Sequence, residues 1–276
     1  MMGRALGIYR ETEFSPGKVA ADAAILDSVL ANLAAQGLEI SALAARDFIN
    51  NPLPRCDLIL AMCQSHQALE RLRAAEAGGA LVINSPRAIR SCYRDRLGEL
   101  LKAASAPVPE GMLVETAAPD GGGAKATLDA RRGIYVKRGD LHALFAGDVR
   151  RVDDQAALDA ALRDFATRGI RLAYLQAAVE GRVVKFYGVT GGSYFSTADA
   201  QGASSGVLTA RLQAAADEAA RALGLEVWGG DAIVHGEQLK IVDFNDWPSF
   251  ERVRDQAAAA IAHRALQLVR DTRVEN

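Results

Sequence analysis

The sequence predicts a chain of mixed α/β and α+β structure, and three observations lead to that fold class. A strand at 5–9, a helix closed by Gly37 and a strand at 38–43 follow one another in the order of a parallel α/β unit. Farther along, apolar segments turn back on themselves at residues 180–182 and 236–238, which indicates β-hairpins. Helical periodicity surrounds these hairpins, so strands and helices share the later lobes as well.

Two stretches divide the chain into three predicted domains. Asn-Ser-Pro at 84–86 reads as a linker after a short strand, and the prolines within 106–110 end the helix that follows. We therefore predict an N-terminal α/β domain over residues 1–84, a linker helix with a central lobe over residues 85–178, and a C-terminal lobe over residues 179–276.

Composition and charge argue against several classes of protein. The 276 residues carry a net charge of −2, which offers no field to attract nucleic acid or an anionic membrane. No apolar run approaches the length of a membrane span, and the first residues lack the apolar core of a signal peptide. The cysteines, Cys56, Cys63 and Cys92, have no paired spacing, as is typical of the reducing cytosol. We therefore expect a cytoplasmic protein with neither nucleic acid nor a membrane as its partner.

The loop after the first strand is a candidate substrate site. Arg10, Ser15 and Lys18 lie between the end of the predicted strand and the start of the first helix. Ligands gather at that edge of parallel sheets, and the N–H groups at a helix start favour anions. We expect these residues to bind a carboxylate or phosphate on the substrate, although a plain solvated loop has the same composition.

Two lysines on predicted strands are candidate phosphate ligands. Lys137 ends the strand 134–137, and Lys185 lies within the apolar strand 183–189. A lysine among apolar residues is costly unless it meets a partner or solvent, so each is either a ligand-binding cation or an ordinary exposed lysine. The charged run Arg-Asp-Arg at 94–96 indicates a solvated helix face.

The hairpin of residues 231–245 is the strongest candidate for a metal site. On a strand, Asp243 and Asn245 point to the same face. With a three-residue turn at 236–238, Asp231 lies directly opposite Asp243, whereas a two-residue turn puts the carboxylates on opposite faces. In the first register the three side chains converge and supply oxygen ligands for Mg²⁺, while the alternative is an exposed hairpin with scattered acids.

Taken in order, these motifs resemble the ATP-grasp superfamily over nearly the whole chain. An α/β lobe precedes the Asn-Ser-Pro linker, a helix ending at Pro-Val-Pro-Glu, a lysine strand, a Gln-Ala-Ala-Val hinge at 176–179 and the Asp-Phe-Asn hairpin. The set is most similar to the glutathione-synthetase and ribosomal-protein glutamate-ligase type, and is also close to the inositol-phosphate kinases. The resemblance implies an ATP-grasp architecture, in which an N-terminal α/β lobe accompanies two α+β lobes that clasp ATP.

The resemblance also implies roles for individual residues. Lys137 would contact the ATP phosphates, with Arg96 in the place of an early lysine of many members. Lys185 would reach the transferring phosphoryl group, and the acidic hairpin would hold Mg²⁺, or Mn²⁺ in its place. The remaining assignments are the adenine hinge at Gln176, Ala177 and Val179, the ribose ligand Glu180, and the catalytic candidates Arg138 and His142 beside Lys185.

Because most members of the superfamily are ligases, the resemblance implies an ATP-dependent carboxylate–amine ligase that forms an acyl phosphate on a small molecule or peptide. Two alternatives stay open. One is a small-molecule kinase, in which a hydroxyl attacks ATP, and the other is a nucleotide-binding protein without turnover. The sequence determines neither the substrates nor whether the chain forms a homo-oligomer.

Overall fold

The computed structural model describes residues 3–117, 133–192, 194–199 and 206–275. It contains three four-stranded sheets, each built from a different third of the chain. One sheet is parallel and two are antiparallel, in agreement with the α/β and α+β class that the sequence predicts. Among the described helices, none is long and apolar enough to cross a membrane.

The N-terminal sheet is parallel, as expected where strands alternate with helices. It consists of β1 (Arg4–Ile8), β2 (Glu39–Leu43), β3 (Leu58–Ala61) and β4 (Leu81–Ile83), and its helices are α1 (Val19–Ala35), α2 (Ala45–Asn50) and α3 (His66–Ala77). The strand order β2-β1-β3-β4 brings the carboxyl ends of all four strands to one edge. Ligand sites of parallel sheets lie at that edge.

The central sheet is antiparallel and follows two linker helices, α4 (Pro86–Ser91) and α5 (Arg94–Ala103). It consists of β5 (Gly111–Glu115), β6 (Ile134–Arg138), β7 (Val149–Val152) and β8 (Leu172–Ala177), with α6 (Gln155–Thr167) packed on one face. The strand order is β5-β8-β6-β7. Helix α6 begins after Asp154, whose side chain accepts a hydrogen bond of 2.7 Å from the Ala157 N–H and so caps the first turn.

The C-terminal sheet is also antiparallel. It consists of β9 (Arg182–Val189), β10 (Tyr194–Asp199), β11 (Val227–His235) and β12 (Gln238–Asp246) in the order β10-β9-β11-β12. Helix α7 (Gly206–Leu223) packs on this sheet around the buried rings of Phe186, Trp228 and Phe244.

The last helix, α8 (Arg254–Glu275), packs against α1 of the N-terminal lobe. Its buried residues, among them Ala258 and Ile261, belong to the same apolar core as Leu26 and Leu30 of α1. Asn84 adds a polar tie, because its side chain donates to the Val227 carbonyl at 2.7 Å and accepts from the Val227 N–H at 3.0 Å. The N-terminal and C-terminal sheets are therefore held together, which fixes the edge of the first against the strand ends of the second.

Candidate active site at the meeting of the three sheets

The acidic hairpin is formed by β11 and β12, and a bulge sets its register. The turn contains only Gly236 and Glu237, so the predicted three-residue turn is wrong. Asp231 nevertheless lies opposite Asp243 as predicted, since the register shifts between Asp231 and Ala232 and leaves Val242 as the extra residue. A two-residue turn alone would put the two carboxylates on opposite faces of the hairpin, and the bulge returns them to the same face.

The extra residue also links the hairpin to the central sheet. The Val242 carbonyl accepts hydrogen bonds from Lys137 Nζ at 3.0 Å and from Gln176 Nε2 at 3.4 Å. A bulge leaves its backbone groups outside the ladder, so this carbonyl can point at the facing lobe. Lys137 on β6 and Gln176 on β8 therefore both contact the residue that directly precedes Asp243.

Cationic side chains lie next to the carboxyl groups of both Asp231 and Asp243. Lys185 Nζ lies 2.8 Å from Asp231 Oδ1, because the two residues are direct neighbours across β9 and β11. Burial raises the pKa of Asp243, but the positive charges of Arg94 and Lys137 counter it most strongly, and the pKa is held below its usual value. Asp243 therefore remains ionised at neutral pH.

Lys137 itself is in an environment that disfavours its charge. Its side chain is 7% exposed, and burial lowers its pKa from 10.5 to about 8, although Asp243 and Asp231 oppose the change. A cation held under such conditions, in contact with a backbone carbonyl, is ready to exchange that partner for an anion.

Arg94 is a further buried cation at the site, so the prediction that it lies on a solvated face is wrong. It is 7% exposed, and its Nη1 lies 3.5 Å from the Arg138 carbonyl. Burial lowers the pKa of Arg94, and Asp243 is the carboxylate that most strongly opposes this. Arg96, which the resemblance selects, is exposed on the opposite side of α5. The missed signal is the helical spacing, because position 94 shares a face with the buried Leu97 and Leu101.

A cavity of about 310 Å³ opens beside the carboxylates at the edge of the N-terminal sheet. The three predicted substrate residues, Arg10, Ser15 and Lys18, line one side of it. Lys185, Asp243 and Asn245 line the other. The structure thus brings the candidate substrate residues and two of the three candidate metal ligands, Asp243 and Asn245, to one cavity.

The predicted substrate residues differ in their partners. Arg10 Nη1 lies 3.3 Å from Asp22, and its Nη2 donates to the Trp247 carbonyl at 2.7 Å. Ser15 Oγ donates to Asp22 at 2.7 Å. Lys18 is exposed at the cavity, directly before α1. Arg10 and Ser15 are therefore held by other residues of the wall, whereas Lys18 has no comparable side-chain bond among the described contacts.

The loop between β6 and β7 carries the two other catalytic candidates, and they face different ways. Arg138 is buried and forms ion pairs with Asp140 at 2.7 Å and with Asp148 at 3.4 Å, so it braces the loop and does not line the described part of the cavity. His142 does line the cavity, and its Nε2 lies 3.7 Å from Asp246 Oδ1.

The predicted adenine hinge lies at the end of β8. Gln176 and Lys137 line a second, narrower cavity between α5 and the hairpin. The Ala177 N–H donates to the Glu110 carbonyl at 2.8 Å, so this amide is already paired. Glu180 is exposed beyond the hinge, and Val179 is half-buried.

The donor set of the hairpin fits a hard divalent cation. Asp231, Asp243 and Asn245 offer two carboxylates and one amide, which are oxygen ligands of the kind that Mg²⁺ and Mn²⁺ prefer. Asn245 Nδ2 lies 3.3 Å from Asp243 Oδ2, so the two candidate ligands are adjacent. Within the described ranges there is no cluster of three or more His, Cys, Asp or Glu side chains that could hold a metal. The amide is therefore a necessary part of this candidate site.

Comparisons with known proteins bear on the fold. No family model matches the sequence, and no curated protein matches it. Among solved structures, D-alanine–D-alanine ligase from Bacillus anthracis is 12% identical with a TM-score of 0.73, over 98% of this chain and 99% of that one. The complex of that enzyme with ATP gives the same TM-score of 0.73.

Two further structures widen the comparison. D-alanyl-alanine synthetase A from Vibrio cholerae is 11% identical with a TM-score of 0.76 over 100% of both chains. A RimK-domain ATP-grasp protein from Sphaerobacter thermophilus is 17% identical with a TM-score of 0.68, over 95% of this chain and 99% of that one. The similarity covers all three sheets at identities that concern the fold alone, and on that evidence this chain has the ATP-grasp fold.

Proposed function

We propose that this protein is an ATP- and Mg²⁺-dependent carboxylate–amine ligase that acts through an acyl phosphate. The observation that carries the proposal is the charge arrangement at the meeting of the three sheets. Lys137, Lys185 and Arg94 surround the carboxyl groups of Asp231 and Asp243, beside a cavity large enough for a small substrate. Such an arrangement suits phosphoryl transfer, in which catalysis rests on positioning and on stabilising charge.

Each element of the site receives a role in this proposal. Lys137 and Arg94 would bind the ATP phosphates, with the adenine at the hinge of residues 176–179 and the ribose near Glu180. Asp231, Asp243 and Asn245 would hold Mg²⁺, which would neutralise phosphate charge when bound. Lys185 would contact the phosphoryl group as it transfers.

The reaction needs no nucleophile from the protein. A carboxylate oxygen of the substrate attacks the γ-phosphorus, and the bond from that phosphorus to the bridging oxygen of ADP breaks. The amine, after it has lost a proton and become neutral, attacks the acyl carbon through its nitrogen. The bond from that carbon to the phosphate oxygen breaks, phosphate leaves, and the nitrogen releases a further proton to give the amide. The thiols of Cys63 and Cys92 are unsuited to replace the substrate carboxylate, because burial raises both pKa values well above the usual range and keeps them protonated.

The similar structures support a ligase over the alternatives. The comparisons above include ligases that join D-alanine to D-alanine, and an ATP complex of one of them. A small molecule or small peptide is therefore the proposed substrate class. The volume of about 310 Å³ is at the lower end of ligand pockets, which favours substrates of amino-acid or dipeptide size.

The proposal is tested by measuring ADP release from ATP in the presence of MgCl₂ and a panel of amino acids, small peptides and polyols. The molecular mass of each product is then determined by mass spectrometry. An amide formed together with ADP and phosphate supports the ligase. A stable phosphorylated product would instead identify a kinase, and nucleotide binding without ADP release would identify a non-catalytic protein. Asp243→Asn is the matched site variant, and turnover that survives this change would contradict the role assigned to Asp243.

A further inference from the structure

Two buried polar atoms without a hydrogen-bond partner within the described residues belong to side chains that line the same cavity. They are Asp246 Oδ2 and His142 Nε2. Asp246 is fully buried, and both residues line the cavity of about 310 Å³. An unpaired buried carboxylate oxygen is costly, so its position requires an explanation.

The carboxylate of Asp246 is held rigidly by its other oxygen. Gln64 Nε2 donates to Asp246 Oδ1 at 2.8 Å. Gln64 is fixed in turn, because its N–H donates to Glu11 at 2.9 Å and its carbonyl accepts from the Tyr93 hydroxyl. The hydrogen bond to Oδ1 therefore holds the buried carboxylate in a fixed orientation at the cavity wall.

His142 does not satisfy this oxygen. Its Nε2 lies 3.7 Å from Asp246 Oδ1, which is longer than a hydrogen bond. The ring is steadied by an edge contact with Tyr93, with the two centroids 6.4 Å apart. The two unpartnered atoms thus form a pair of polar positions that a third group could contact.

Two of the cations that line the cavity are already occupied. Arg10 binds Asp22 and the main-chain carbonyls of Asp246 and Trp247, and Lys185 binds Asp231. A metal ion is disfavoured, since only two ligands meet here and the described residues contain no larger cluster. A donor with several N–H groups and a positive charge fits best, because it can hydrogen-bond to a carboxylate and to an imidazole nitrogen together.

We propose that Asp246 and His142 bind the ammonium group of the amine substrate. The inference rests on the proposed ligase function and specifies its second substrate as a primary amine that arrives in its cationic form. At the end of β12, Asn245 would then bind the metal and Asp246 would bind the amine.

The inference is tested by NMR of the histidine imidazoles in the full chain, titrated at constant ionic strength with methylammonium, glycine, acetate and tetramethylammonium. We expect the His142 signals to move saturably with methylammonium and glycine, but not with acetate or with tetramethylammonium, which has no N–H donor. The His142→Gln variant assigns the signals, and His66, His235 and His263 serve as internal references.

The matched variants are Asp246→Asn and the exposed control Asp255→Asn. The first should weaken methylammonium binding by at least about tenfold, the loss of one charge-assisted hydrogen bond, and the second should leave it unchanged. A flat His142 response to methylammonium and glycine overturns the inference, as does an equal response to tetramethylammonium. These comparisons on the unmodified chain decide the matter even if Asp246→Asn does not fold.

The outcome is separable from that of the ligase proposal, because the titration requires neither ATP nor turnover. A chain that binds methylammonium at His142 but never forms an amide retains this site and loses the proposed function. A chain that forms an amide with an unchanged amine KM in Asp246→Asn retains the function and loses this site.

Discussion

Replacing Lys137 by methionine should stabilise the nucleotide-free protein while weakening nucleotide binding. The lowering of its pKa from 10.5 to about 8 means that holding the buried ammonium in its charged form costs roughly 3 kcal/mol. Methionine removes that charge with little change in volume. It also removes the hydrogen bond to the Val242 carbonyl, worth about 1 kcal/mol, so the free energy of unfolding should rise by about 2 kcal/mol at pH 7.

The stabilisation by Lys137→Met should depend on pH, whereas a change in packing alone would not. Between pH 8 and 10.5 the unfolded wild-type chain binds a proton at Lys137 that the folded chain has released. Wild-type stability therefore gains from this group as pH rises through that interval. The advantage of Lys137→Met should be complete below pH 8 and should fade toward pH 10.5, as measured by urea unfolding at a series of pH values.

The same variant should bind ATP more weakly by about 1.5–3 kcal/mol, the scale of a hydrogen bond to a charged group. Isothermal titration measures this directly. Lys240→Met is the matched control, because Lys240 also donates to a backbone carbonyl, that of Val108 at 3.1 Å, but lies outside the described cavity walls. A Lys137→Met protein that is destabilised at pH 7 and binds ATP as tightly as the wild type would show that Lys137 is a structural residue.

Three further variants test the division of roles. Asp243→Asn should abolish turnover and lower the Tm of the nucleotide-free protein, since Arg94 and Lys137 lose the carboxylate that compensates them; an unchanged Tm in calorimetry would contradict this. Lys185→Met should lower kcat more than ATP affinity, and steady-state kinetics combined with a binding titration would expose an equal loss in both. Lys18→Ala should raise the substrate KM, because the substrate loses roughly 1.5–3 kcal/mol of binding free energy, while ATP affinity stays constant. A matching fall in ATP affinity would exclude a substrate role.

The sequence indicates the large elements well because they depend on local pattern. The parallel N-terminal unit, the lysine strand and the acidic hairpin all follow from periodicity and turn residues, and the structure contains each of them. The order of these motifs, more than any single one, carries the resemblance to the ATP-grasp superfamily. The fold is shared with solved structures that are only 11–17% identical.

The failures concern features that depend on tertiary contacts. The turn at Gly236 is tighter than predicted, and the register is restored by a bulge at Val242 that no local propensity encodes. A buried arginine at position 94 contradicts the rule that charged runs are solvated, and only its carboxylate and carbonyl partners in other lobes explain its burial. Arg138 likewise becomes a brace because Asp148, ten residues later, is buried beside it.

The bulge connects the stability of the apo protein to its proposed chemistry. By inserting Val242, it aligns Asp231 with Asp243 on one side and directs a carbonyl to Lys137 and Gln176 on the other. Lys137 thus has a weak neutral acceptor in the nucleotide-free state, while its charge is disfavoured by burial. A phosphate offers that ammonium a stronger partner than a carbonyl does, so nucleotide binding would relieve an unfavourable interaction already present in the fold. Under the proposed function, the energy that positions ATP therefore comes partly from the cost of keeping Lys137 buried without it.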